Sequence, residues 1–64
     1  MKTVTVSIAK MNESVSNPSF TEKQFSNKTE AIAFAYDVCE KYSLENFDGN
    51  EAGGIGYDYR LTVE

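Results

Sequence analysis

A chain of 64 residues with one cysteine and no histidine has room for a single small domain and excludes both a disulfide framework and a self-contained zinc site. Its net charge of −4 is uneven: residues 1–36 set Lys2, Lys10, Lys23 and Lys28 against Glu13, Glu22 and Glu30 for +1, and residues 37–64 set Asp37, Glu40, Glu45, Asp48, Glu51, Asp58 and Glu64 against Lys41 and Arg60 for −5. Binding a phosphate backbone needs a basic face that releases counterions, so this balance argues against direct contact with nucleic acid.

The chain opens Met-Lys-Thr-Val-Thr-Val-Ser-Ile, an alternation in place of the continuous apolar stretch of a secretory signal. No apolar run long enough to span a membrane follows. With a lone thiol, a reduced cytoplasmic compartment is the expectation. From Thr3 to Ala9, Val4, Val6 and Ile8 alternate with Thr3, Thr5 and Ser7, the pattern of a half-buried strand. Lys10 to Ser19 is polar, contains Asn17-Pro18 and reads as a long hairpin loop. Phe20 to Phe25 reads as a second, weaker strand. Those two phenylalanines are an odd number of positions apart and cannot share one face without a bulge, so Phe25 is expected to turn against the first helical turn.

The run from Asn27 to Ser43 carries the strongest local signal. Asn27 and Glu30 have the spacing of a capping box. Ala31, Ile32, Phe34, Ala35, Val38, Cys39 and Tyr42 fall on one arc at helical periodicity, opposite Glu30, Ala33, Asp37, Glu40 and Lys41. Leu44 to Gly54 has the composition of a loop, anchored by Leu44 and Phe47. Ile55, Tyr57, Tyr59, Leu61 and Val63 then alternate with polar residues and glycine, which reads as a third strand reaching almost to Glu64.

These elements predict a single α+β domain over residues 1–64, with ββαβ order and a three-stranded antiparallel sheet in spatial order 2-1-3. A right-handed crossover would lay the helix on one face. Thr3, Thr5, Ser7, Asp58, Arg60 and Thr62 would line the opposite, open face.

Catalytic chemistry finds little support. Cys39 lacks a histidine base and sits on the apolar arc, so it reads as core. Gly53-Gly54-Ile55-Gly56 precedes a strand, whereas a phosphate-binding turn opens a helix. Asp48, Asn50 and Glu51 cluster oxygen ligands around Gly49 without the spacing of a calcium loop and read as a solvated turn. No catalytic residue, cofactor or metal is expected. Asp37 and Lys41 are spaced to pair along the helix. With Lys41 assigned to Asp37, Glu40, Glu45, Asp48 and Glu51 are left without a basic partner of their own in sequence and gather near the helix C-terminus, where the dipole disfavours negative charge. With Tyr36 at the margin of the helix arc, they form the candidate surface for a protein partner that is itself basic.

The general build, a very short acidic chain with one helix on a small sheet, resembles the accessory proteins of bacteriophages and mobile elements that occupy a host protein. The resemblance is one of size, charge and architecture and rests on no motif. It implies a non-enzymatic protein that occludes a basic surface, such as a nucleic-acid site, by steric and electrostatic means. The alternative is an assembly module that self-associates, as a homodimer, through a sheet edge or the open sheet face. Neither reading places the chain in a membrane.

Overall fold

The computed structural model describes residues 3–64. Its helix, α1 (Lys28–Tyr42), begins where the cap predicts. Asn27 is extended and its side-chain oxygen accepts the Glu30 N–H at 2.9 Å, which satisfies one of the donors a helix start leaves unpaired. The Glu30 side chain makes no return bond to Asn27, so only half of the capping box forms. At the far end Ser43 takes the left-handed conformation, at φ 59, and sends its N–H to the Cys39 carbonyl.

Among the described residues four strands accompany the helix: β1 (Val4–Lys10), β2 (Glu22–Phe25), β3 (Glu51–Gly53) and β4 (Tyr59–Val63). They form one sheet in the order β2-β1-β4-β3, and every neighbouring pair is antiparallel. The class is α+β with an antiparallel sheet, as the sequence predicts. The expected three strands in order 2-1-3 are corrected to four, because the segment from Leu44 to Gly54 is not all loop. After α1 the chain crosses to the far edge, lays down β3, and turns back through residues 54–58 so that β4 lies in the centre against β1.

Glu-Ala-Gly has poor strand propensity, so β3 is a strand by virtue of its surroundings. On one side Ala52 pairs with Leu61, with the flanking bonds Val63 N–H to Asn50 and Gly54 N–H to Tyr59 carbonyl. On the other side the preceding loop plays the part of a fifth strand. Glu51 donates its N–H to Asp48 Oδ1 and accepts the Asp48 N–H, and Gly53 does the same with the Asn46 side-chain amide. All four outward-pointing backbone groups of Glu51 and Gly53 are thereby paired. Gly53 has φ +78, and a Cβ there would run into the Tyr59 carbonyl, so only glycine fits.

The third strand of the sequence reading is likewise shortened. Ile55 to Asp58 belongs to the turn, in which Gly54 and Gly56 both have positive φ and Tyr57 donates its N–H to the Gly54 carbonyl. Asp58 therefore leaves the predicted open face. Phe20 lies outside β2, which resolves the parity conflict: Phe20 and Phe25 approach Phe34 with ring centroids 5.2 Å away in each case.

The helix-side face of the sheet is given by the register. Val6 opposes Val63 and Ile8 opposes Leu61, and with Ala52 and Tyr59 they bury against Ala31, Ala35, Val38 and Cys39 of α1, closed at one end by Leu44. Ala31 and Ala35 are fully buried, so the helix backbone approaches the sheet closely. The other face carries Thr5, Ser7, Ala9, Glu22, Gln24, Arg60 and Thr62 and has no helix over it.

Candidate protein-binding surface

Tyr36 projects from the middle of α1 with 60% of its surface exposed. It is not loose. Phe47, half-buried in the loop after the helix, meets its ring edge-on, with centroids 5.0 Å apart and planes at 86°, the arrangement that aromatic quadrupoles favour. The loop therefore runs back beside the helix, and its Asn46 and Asp48 serve β3. Glu40, one turn beyond Tyr36, and Glu45, at the start of the loop, are both exposed.

The four carboxylates singled out in the sequence do not share one environment. Glu51 has a basic partner after all: its Oε2 lies 3.1 Å from Arg60 on β4, the only ion pair among the described residues. The pair crosses nine positions of sequence and exists because β3 does. Asp48 is a loop organiser whose Oδ1 accepts the N–H groups of Glu51 and Asn50, each at 2.9 Å. Those bonds, the Glu51 bond first, hold its carboxyl below the usual aspartate value. Among the described residues, Glu40 and Glu45 have no ion-pair partner. The expected Asp37–Lys41 pair does not form, and the Lys41 ammonium lies 5.8 Å from the Tyr42 ring centre instead.

Other candidate chemistry resolves into structure. Cys39 is buried with a free thiol whose pKa is pushed up by desolvation, the opposite of an activated nucleophile. Among the described residues no three acidic or cysteine side chains gather as metal ligands, and no helix is long and apolar enough to cross a membrane. Sequence reasoning passed over Asn46 as a generic loop residue, and Phe47 as an anchor of unknown target. The anchor's target is Tyr36. Ile55, where the alternation predicts the third strand to begin, is instead 97% exposed at the tip of the β3–β4 turn.

Compared with protein-family models, with curated proteins and with solved structures, the chain has no match in any of the three.

Proposed function

We propose that this chain is a non-enzymatic binding domain that docks through Tyr36, Glu40 and Glu45 onto a basic surface of a partner protein and acts by covering it. One observation carries the reading: an exposed aromatic ring is braced edge-on by Phe47 while, among the described residues, the carboxylates beside it form no ion pair. A braced ring loses little side-chain freedom on binding, and aromatic anchors dominate interface energetics. Unpaired carboxylates around it would speed encounter with a basic partner and select against an acidic one. The basic surface is of the kind that otherwise holds nucleic-acid phosphates, in keeping with the resemblance to host-occluding accessory proteins. Asp48 and Glu51 are left out of the contact because the loop and β4 already use them.

The test is association kinetics with a partner captured from lysate, at several salt concentrations. Glu40→Gln with Glu45→Gln should slow association and remove most of its salt dependence. Tyr36→Ala should leave the on-rate nearly unchanged and weaken affinity by roughly 30-fold, the effect of losing an anchor of about 2 kcal/mol. Undiminished, salt-insensitive binding by the doubly neutralised variant would take the acidic patch out of the mechanism and move the contact to the open sheet face around Arg60.

A further inference from the structure

The two edges of the sheet are treated differently. The outward backbone groups of β3 are all paired by Asn46 and Asp48. At the other edge, β2 turns Lys23 and Phe25 toward β1, as their partners Val6 and Val4 and the bond from Ile8 N–H to the Thr21 carbonyl require. The N–H and C=O of Glu22 and Gln24 therefore point away from the sheet. Among the described residues nothing bonds to them, and residues 21–24 are all exposed. Along this same edge, Phe20, Phe25 and Phe34 are only partly buried. Lys23 reaches over the Phe34 ring at 4.9 Å.

From this asymmetry we infer that β2 pairs with the β2 of a second copy, antiparallel about a two-fold axis, to give a closed dimer with one continuous eight-stranded sheet. Charge selects the register. Centring on Glu22 would set two glutamates directly opposite, and centring on Lys23 would set two lysines opposite at the closer, non-hydrogen-bonded spacing. Centring on Gln24 opposes amide to amide, and sets Lys23 across from Phe25 of the partner copy, a cation–π pairing. The axis is perpendicular to the sheet, so both helices lie on one side and the two partly exposed phenylalanine clusters meet across the seam. Because β3 is already closed, addition stops at two copies and no filament grows. Tyr36 leans on the loop that serves the opposite edge, so this inference and the docking surface above fail separately.

Sedimentation equilibrium of the full chain from micromolar to millimolar concentration should show a mass rising from 7.1 kDa to twice that value and no further. Gln24→Pro removes an N–H that faces away from the sheet, a position where an edge strand tolerates proline, so it should keep the melt of the dilute protein and hold the mass at one chain. Gln24→Lys tests the register, because it puts like charges on the axis. It should weaken dimerisation by about fivefold, whereas in the Lys23-centred register it would face Glu22 and strengthen it. A mass of one chain throughout, a mass climbing past two chains, or a dimer indifferent to Gln24→Pro would each overturn the proposal.

Discussion

At Tyr59 one side chain ties three segments together. Its ring packs 4.6 Å from that of Tyr42 on the helix, and its hydroxyl donates to the Ser16 carbonyl at 2.6 Å, which pins the long β1–β2 loop. Tyr59→Ala should cost about 3–5 kcal/mol, comparable to the stability of so small a domain, whereas Tyr59→Phe keeps the ring and should cost about 1 kcal/mol. Chemical denaturation separates the two, and equal midpoints for both variants would mean that the ring contributes nothing. Asp48 makes a prediction in pH. Its folded pKa lies below the ordinary 3.8, so its stabilising effect is complete above the unfolded value and is lost as pH falls through the folded one. Melts taken from about pH 5 to about pH 2 should show the parent losing more stability than Asp48→Asn, whose neutral amide oxygen accepts the same N–H groups at every pH. Parallel curves would assign the loop's order to something other than this carboxylate.

At the scale of elements, the helix was legible and β3 was not, for opposite reasons. Asn27, the apolar arc and the stop near Ser43 all act within a few residues of one another, so local chemistry sufficed to place α1. Asn27→Ala should lower stability by about 1 kcal/mol without changing the far-ultraviolet spectrum of the folded state. An unchanged melting temperature would mean that the helix start is held by packing alone. The strand β3 depends on Leu61 across the ladder and on Asn46 and Asp48 at its edge, none of them visible in the triplet Glu-Ala-Gly. The alternation from Ile55 to Val63 misled in the other direction. It has the period of a strand throughout, but positive φ at Gly54 and Gly56 folds its first part into a turn and strands Ile55 in solvent. The Glu51–Arg60 pair was hidden with β3, since nothing in sequence brings those two residues together. The exposure of Tyr36 could be read from its place on the helix margin, whereas its brace by Phe47 required the course of the loop.

For the molecule as a whole, the sheet is built outward from its oldest and youngest strands. β1, near the start of the chain, pairs through five residues with β4, near Glu64, from Val6 against Val63 to Lys10 against Tyr59. Helix and hairpin segments can form early, but the apolar face of β1 finds its central neighbour only through a contact spanning nearly the whole sequence, the kind of closure that slows folding. During synthesis at roughly 5–20 residues per second, β1 must therefore wait for its central partner while everything up to Val63 is made. Those last residues are then still inside the ribosomal exit tunnel, so the core closes only once they have cleared it, and a ribosome stalled a few codons short of Val63 would hold out a chain without the middle of its sheet.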